Sequence, residues 1–554
     1  MKTMVKEVLD RSIREFVTRK AIVLPENFDY DLVLTKDRAH GDFAANAAFK
    51  LAKLAGERPA LVADELVLLI QKESAGGKAG AIHKVEVAGA GFINFYLLQS
   101  SLAEVLLDVH QKDRRYGESD FGEGKKVLIE FVSANPTGPL TIAHGRQAIV
   151  GDALARILKA SGHQVQCEYY LNDAGRQMNL LGASLWARYQ QVCGKEEPLP
   201  EDGYQGGYLL EIARELQKQK GETLLKEDPK KAADFCRKFA GDTIMKGILE
   251  DLTSVDVKFD SYFNESWLYE KDEVRETLDF LRAKGHLYEQ DGALWFRSTA
   301  FGDDKDRVVK KSTGEYTYLA PDIAYHRKKF DRGFNWLVNF LGPDHHGYII
   351  RLKAACQALG HDAGQIEVRI VQLTTLYRKG QPVRMSTRAG EFITLKELVD
   401  EVGADASRCF FVMRKIESHL DFDLDLAKEK SQENPVFYLQ YGHARIASLL
   451  KFSGKKINTA ANTGLLESDE EKDLIKRISE YSKVLVKASE ALEPYRLADY
   501  LRDLSASFHK FYSQHRIVTE DVSLTEARLL LADCARITLR NGLSLLGISQ
   551  PESM

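Results

Sequence analysis

The stretch SANPTGPLTIAHGR, residues 133–146, places two prolines, two glycines, Asn135 and His144 in one turn between an apolar run and an apolar helical pattern. Gly138, between Pro136 and Pro139, fixes a chain path that a ligand can approach closely, and His144 falls where the next helix should begin, a position that can address a phosphate. Three further polar clusters each follow an apolar run: Asn172 and Asp173; Asp344, His345 and His346; and Gln372 with the basic loop RKGQPVRMSTR, residues 378–388. Glu130 lies inside an otherwise apolar run, where an unpaired carboxylate is costly, so a buried cationic partner is expected. Asp344, His345 and His346 have the types of metal ligands, but adjacent loop residues rarely converge on one ion and no further group is spaced to help. A ligand-facing loop is expected there, and no metal site.

These clusters need elements that bring them to one edge. KVLIEFVS, the opening turn and RQAIVGDALARILKASG read as strand, loop and helix; QVQCEYYLND is the next strand; NWLVNFLGPDHHGYIIRLKAACQALG repeats the pattern, and IEVRIVQL adds a strand. Alternation of this kind predicts a doubly wound, Rossmann-like parallel sheet, whose ligands lie outside the carboxyl ends of the strands. Ser133, Asn135, His144, Asn172, Asp173, Asp344, His345 and Gln372 would then face one crevice. The turn lacks both G-x-G-x-x-G and G-x-x-x-x-G-K-[ST], so dinucleotide binding and P-loop hydrolysis have no fingerprint.

At 554 residues the chain exceeds a single core. The expected organisation is multidomain: an α+β unit at 1–112 containing KVEVAGAGFINFYL, a polar hinge at 111–126, a catalytic α/β domain at 120–395 with an insertion at about 185–290, a connecting segment at 396–430 and an all-α bundle at 431–554. Lys and Arg number 77 against 81 Asp and Glu, a net charge of −4. That balance argues against a protein coating nucleic acid non-specifically, but allows recognition of one folded RNA through local patches. Six scattered cysteines with no C-x-x-C pair read as reduced thiols. The N-terminus has no secretory pattern and no window approaches a membrane span, so a cytoplasmic location without membrane contact is expected.

SANPTGPLTIAHGR resembles the His-Ile-Gly-His turn of class I aminoacyl-tRNA synthetases, in the Asn-Pro-Thr-Gly-Pro-Leu setting of the arginyl-tRNA synthetase family, and RMSTRAGEFITL (384–395) is similar to that family's Lys-Met-Ser-Lys-Ser loop. HGDFAANAAFKLAK with GAGFINFYL resembles its N-terminal tRNA-contacting domain, YLNDAG and YLAPDIAYH its amino-acid pocket, and NPVFYLQYGHARI with LGISQPESM its anticodon-binding bundle. The resemblance covers nearly the whole chain.

It implies ATP-dependent ligation of L-arginine to tRNA(Arg) through an arginyl-adenylate, by a monomer, with Mg²⁺ accompanying the nucleotide. A guanidinium pairs best with carboxylates. Asp173 and Asp322 supply charge, oriented by Tyr318 and Asn172, with Ser133, Asn135 and His346 nearby and Glu130 on either the guanidinium or the α-amino group. Pro136, Thr137, Gly138, Ala143, His144, Gly145, Asp344, His345, Gln372 and Met385 would hold ATP. Thr141, His144, Arg384, Ser386 and Arg388 would stabilise charge on its phosphates. Tyr512, Arg516, Asn434, Tyr438 and Arg445 would contact tRNA, whereas Phe508 is expected in the core. Thr141 and Ala143 stand where the signature has His and Gly, Arg384 and Thr387 where it has Lys, which points toward slower activation. Two rival readings are a non-catalytic RNA-binding paralogue and a small-molecule adenylate-forming ligase. The carboxylates and donors kept in the motifs count against the first, and RNA-reading domains at both ends against the second.

Overall fold

The computed structural model describes residues 2–35, 40–75, 82–97, 99–173, 175–383 and 393–554. At its centre is a five-stranded parallel sheet made of β1 (Lys126–Glu130), β2 (Gln164–Leu171), β3 (Ser261–Asn264), β4 (Trp336–Leu341) and β5 (Ile366–Ile370), in the spatial order β5-β4-β1-β2-β3. Val127, Leu128, Ile129, Leu337 and Val338 are buried at successive positions, as strands covered on both faces require. The order reverses between β1 and β4, which opens a crevice at their carboxyl ends. Register places Asn339, Glu130 and Glu168 in one row across β4, β1 and β2, so three polar side chains meet beside that crevice.

Helix α1 (Ile142–Ala160) carries the chain from β1 to β2, and α2 (Glu265–Glu270) follows β3. Helix α3 (Leu319–Asp331) leads into β4, and α4 (Tyr348–Leu359) joins β4 to β5. The stretch expected as an insertion, 185–290, is not one block. Its helices Gly207–Lys220 and Pro229–Ser254 belong to the crossover from β2 to β3, and β3 is itself the edge strand of the sheet. Four residues, SYFN, are too few to show a strand period. Only the part after β3 departs from the sheet, including a small antiparallel sheet of Leu287–Gln290, Ala293–Phe296 and Arg307–Lys310.

Residues 2–97 pack three helices on a four-stranded antiparallel sheet with its own core of Phe16, Phe43, Leu51, Leu66 and Phe95. The polar hinge expected at 111–126 is a packed seam. Tyr116 stacks on Tyr481 at 5.8 Å and donates to the Ile478 carbonyl, while Asn541 donates to the carbonyls of Asp113 and Tyr116. Helix Gln99–Lys112 buries Leu106 and Val109 in a core shared with the C-terminal helices.

Beyond the central sheet come α5 (Ala404–Val412), α6 (Pro435–Ser453), α7 (Tyr495–Gln514) and α8 (Val522–Leu546). The Arg408 guanidinium, fully buried on α5, ties three distant segments together. It donates to the Leu546 carbonyl at 2.7 Å, to the Val255 carbonyl at 2.6 Å and to the Asp152 carboxylate on α1. Gly547 ends α8 with φ +68°, and a Cβ there would stand 2.2 Å from Cζ of Arg408, so glycine is required. Arg408→Met orphans two buried carbonyls, at about 1–3 kcal/mol each. The thermal midpoint followed by circular dichroism is expected to fall by roughly 5 °C or more; an unchanged midpoint would show that the seam does not depend on this guanidinium.

Candidate active site

The turn after β1 is held in a costly conformation. Val132 and Ser133 have φ of +68° and +39°, a left-handed path that a β-branched residue adopts only where its surroundings force it. Ser133 Oγ is fixed there, donating to Glu130 Oε1 at 3.1 Å and accepting from the Tyr170 N–H at 3.2 Å. Helix α1 begins with Thr141 as its N-cap, and His144 sits at the third helical position. The Thr141 N–H donates to His144 Nδ1 at 3.2 Å, so the proton of the imidazole is on Nε2. Burial pushes the His144 pKa down to about 4. Near pH 7 this side chain is therefore a neutral, aimed N–H donor. Thr141 is occupied by this cap and does not face the crevice.

The crevice forms a cleft of about 820 Å³ at the reversal point between β1 and β4. Of the residues expected to meet, Glu130, Ser133, Asn135, His144, Asn172, Tyr318, Asp322, Asp344 and His345 line it together. Asn172 Oδ1 is buried without a hydrogen-bond partner among the described residues, an acceptor left open at the wall. Asp173 and His346 do not line the cleft. The Asp173 carboxylate accepts from the Ser266 N–H (2.9 Å), Ser266 Oγ (2.7 Å) and Asn264 Nδ2 (2.8 Å), so its lone pairs are spent on fastening the start of α2. Pro136, Thr137, Gly138, Ala143 and Gly145 are likewise absent from the lining. The Thr137 carbonyl takes the Tyr208 hydroxyl, and Gly145 has no side chain because Leu395 occupies that space, 2.6 Å from where a Cβ would stand. Gln372 contributes its carbonyl to Arg146 at 2.9 Å, away from the cleft. Arg384, Met385, Ser386 and Arg388 lie outside the described residues.

Glu130 and Asp322 line the inner end of the cleft, Glu168 and Glu265 lie behind its wall, and the partners of the four differ in kind. Glu130 meets Lys329 Nζ at 2.5 Å, so the buried cation expected beside it is supplied by α3. Glu168 is held bidentately by Arg332 at 2.5 and 2.7 Å, with the Tyr325 hydroxyl at 2.8 Å. Glu265 has only phenols, Tyr170 at 2.9 Å and Tyr269 at 3.2 Å, and burial raises its pKa. Asp322 accepts from the Tyr348 hydroxyl. Burial pushes Asp322 up to about 7, against the Tyr348 hydrogen bond and helped by the nearby charges of Glu130 and Glu265. Half-buried Asp322 and buried Glu265 thus form no ion pair among the described residues, and Tyr318, 73% exposed, stands at the rim of the cleft.

Sequence reasoning missed Glu265, Lys329, Tyr348, His326 and Asn339. A signal existed on α3, where Asp322, His326 and Lys329 fall at i, i+4 and i+7 on one stripe of a largely apolar helix. Glu265 had none, since it follows a four-residue strand.

In the C-terminal bundle, the Arg445 guanidinium lies 4.1 Å over the Tyr512 ring and 5.6 Å from Tyr441. These residues line a 390 Å³ surface hollow with Phe452, which is 83% exposed, and Met554. Tyr438 packs on His509 at 5.3 Å and lines a separate hollow, and Arg516 is exposed. Asn434 is corrected: 2% exposed, it is the N-cap of α6, donating to the Ala427 and Glu429 carbonyls and accepting from the Val436 N–H, which leaves nothing for RNA. Phe508 is fully buried, as expected.

A carboxyl raised in the fold from its ordinary value near 4 to about 7 binds a proton that the unfolded chain has released, so stability is lost as pH rises through this window. Asp322→Asn removes that cost, on the order of 4 kcal/mol at full ionisation. The variant should melt higher than the parent at pH 8 and differ little at pH 4.5; an advantage independent of pH would place the strain elsewhere.

Comparison with known proteins matches three family models along the chain: "Arginyl tRNA synthetase N terminal domain" over residues 3–97, "tRNA synthetases class I (R), catalytic domain" over 105–420 and "DALR anticodon binding domain" over 439–554. The arginine–tRNA ligase of Geobacter sp. (strain M21) is 47% identical over 520 residues, 93% of each chain, and that of Desulfosudis oleivorans is 46% identical over 99% of this chain and all of its own. Among solved structures, a putative arginyl-tRNA synthetase from Campylobacter jejuni superposes with TM-score 0.76 at 35% identity, covering 83% of this chain and 100% of that one. The Thermus thermophilus arginyl-tRNA synthetase shares the fold, with TM-score 0.78 at 21% identity and full coverage of both chains. A cleft two cations short at a Rossmann-like reversal point, a helical bundle behind it and relatives matched over nearly their whole length together show that the chain belongs to the arginyl-tRNA synthetase family.

Proposed function

We propose that the chain ligates L-arginine to tRNA(Arg) with ATP, through an arginyl-adenylate, releasing AMP and pyrophosphate. The observation that carries this reading is Asp322, half-buried in the cleft wall, with Glu265 buried behind it: both are held by phenols and neither forms an ion pair among the described residues. A guanidinium is the cation whose planar fork fits two carboxylates and phenolic oxygens at once. Tyr318 closes over it from the rim. The α-amino group is then directed to Glu130 with Ser133, Asn135 and the open Asn172 Oδ1. A neutral ligand would leave both carboxylates unpaired.

The remainder of the cleft takes ATP beside the start of α1, where backbone N–H groups and His144 Nε2–H point outward. The arginine carboxylate attacks the α-phosphorus, pyrophosphate leaves, and the ester forms on the terminal ribose of tRNA. Positioning and donors aimed at developing charge supply the catalysis. His144 fits as one such donor, and Asp344 and His345 border the nucleotide end. Arg384, Ser386 and Arg388 retain their proposed role on the phosphates from the family motif alone. Mg²⁺ would enter with the nucleotide, on its phosphate oxygens. The hollow of Arg445, Tyr441, Phe452 and Tyr512 suits an unstacked anticodon base, which stacks on rings and a guanidinium. The working unit is proposed to be a monomer, as the family resemblance implies. No helix among the described residues is long and apolar enough to cross a membrane, and the cytoplasm is the proposed location because the substrates meet there. A non-catalytic paralogue has no use for two uncompensated buried carboxylates.

Arginine requires Asp322 ionised, so binding near pH 7 should release protons and strengthen from pH 6 to 8. Calorimetry in buffers of different ionisation enthalpy measures both effects. Asp322→Asn should abolish the release and weaken arginine by about 100-fold, in line with breaking a buried charge pair, while ATP binding changes less than threefold. Equal losses for the two ligands would contradict the assignment. Stacking on an aromatic platform is worth about 1–3 kcal/mol per base; Arg445→Ala is therefore expected to raise KM for tRNA roughly tenfold with KM for arginine unchanged, and a variant with ordinary tRNA kinetics would remove the anticodon role from this hollow.

A further inference from the structure

Lys329 is 0% exposed and too deep to reach the open part of the cleft, yet its contacts run to both proposed ends of the arginine site. Its Nζ donates to Glu130 Oε2 at 2.5 Å and to Asn339 Oδ1 at 3.2 Å, and lies 4.2 Å from the centre of the Tyr325 ring. Asn339 Nδ2 donates to His326 Nε2 at 2.8 Å, which leaves the proton on Nδ1, and His326 Nδ1–H donates to the Asp322 carbonyl at 2.8 Å. The chain of bonds thus begins at the carboxylate directed to the α-amino group and ends on the backbone of the residue directed to the guanidinium. Every link has one consistent donor and one acceptor.

We propose that Lys329 is a positioning residue for the whole arginine site: its ammonium cancels the charge of Glu130 and, through Asn339 and His326, pins the turn of α3 that carries Asp322. This deepens the arginine pocket proposed above and rests on it. The consequence is electrostatic as well as geometric. Asp322 is faced by Glu130 from β1, Tyr170 from β2, Glu265 and Tyr269 from α2, His326 and Lys329 from its own helix, and Tyr348 and Arg351 from α4. The Glu130 and Lys329 charges oppose each other at Asp322. While the pair is intact, Asp322 and Glu265 are the carboxylates without an ion pair, left for the guanidinium; without Lys329, Glu130 becomes a third unpaired carboxylate, and the carboxylates titrate against one another.

The test is arginine affinity from pH 6 to 9 on the full chain for the parent, Lys329→Met, Glu130→Gln and the double variant, with ATP affinity measured alongside. Lys329→Met should weaken arginine at least tenfold at pH 7 and move the midpoint of the affinity curve up by about one pH unit. Glu130→Gln, which leaves the ammonium unopposed, should move it down. The double variant, with no buried charge orphaned, should return it to the parental position, and ATP affinity should stay within about threefold throughout. Midpoints that do not move in opposite directions, or equal losses of arginine and ATP, would overturn the proposal. If Lys329→Met fails to fold, Glu130→Gln against the double variant decides it, because coincident midpoints exclude an action of Lys329 on Asp322. A parental curve that is flat with pH, or Asp322→Asn binding arginine normally, would instead fail the pocket itself and leave the Lys329 contacts without a ligand to serve.

Discussion

The structure turns on a shortage of positive charge. Glu130 and Asp322 line the inner end of one cleft with Glu168 and Glu265 in the layer behind them, and only two of these four carboxylates, Glu130 and Glu168, form ion pairs among the described residues, with Lys329 and Arg332. Burying an unpaired carboxylate is expensive, and Asp322 answers by holding its proton until about pH 7. A ligand that brings its own cation removes that expense and exchanges it for binding energy. The surrounding elements serve this arrangement. Register lines up Asn339, Glu130 and Glu168, the strained turn at Val132 and Ser133 aims the strand end, and α3 presents Asp322 and Lys329 two turns apart.

The nucleotide end follows a different logic, in which charge matters less than fixed direction. His144 is uncharged near neutral pH, and its tautomer is set by the N-cap amide of its own helix. Thr141 therefore acts on the imidazole with its backbone N–H and, from the same 3.2 Å distance, with its Oγ1. A threonine there leaves the imidazole held by its own N-cap. A neutral donor held in place pays no reorganisation when charge develops in front of it.

Much of this was legible in the residues. The change from strand to turn to helix placed the sheet, the rule that ligands sit beyond strand ends brought Asn135, His144, Asn172 and Asp344 to one cleft before any coordinates, and Asp322 came from the family resemblance alone. Glu130 announced a cation by lying in an apolar run. Its partner was hidden because a lysine 199 positions away gives no local sign. Asp173 and Asn434 misled for a common reason: both are polar residues beside helix starts, where a side chain is as useful to backbone amides as to a ligand, and composition does not distinguish the two uses. Strand β3 and Glu265 escaped because four residues carry no period, and the hinge at 111–126 was misjudged because glycine and charge describe a turn equally well whether it is free or packed.

The Arg408 clasp has an implication for how the chain can change over time. Its guanidinium grips the carbonyls of Leu546 and Val255, and a carbonyl is the same whatever side chain the residue bears. The clasp itself therefore sets no side chain at those two positions, which the surrounding core constrains to apolar residues, while it does set the length of the helix that ends at Leu546. One residue gained or lost within it would swing its terminus by about 100°, turning the acceptor away from the guanidinium. At this joint the guanidinium counts residues along the helix rather than reading their side chains, and drift in length is forbidden.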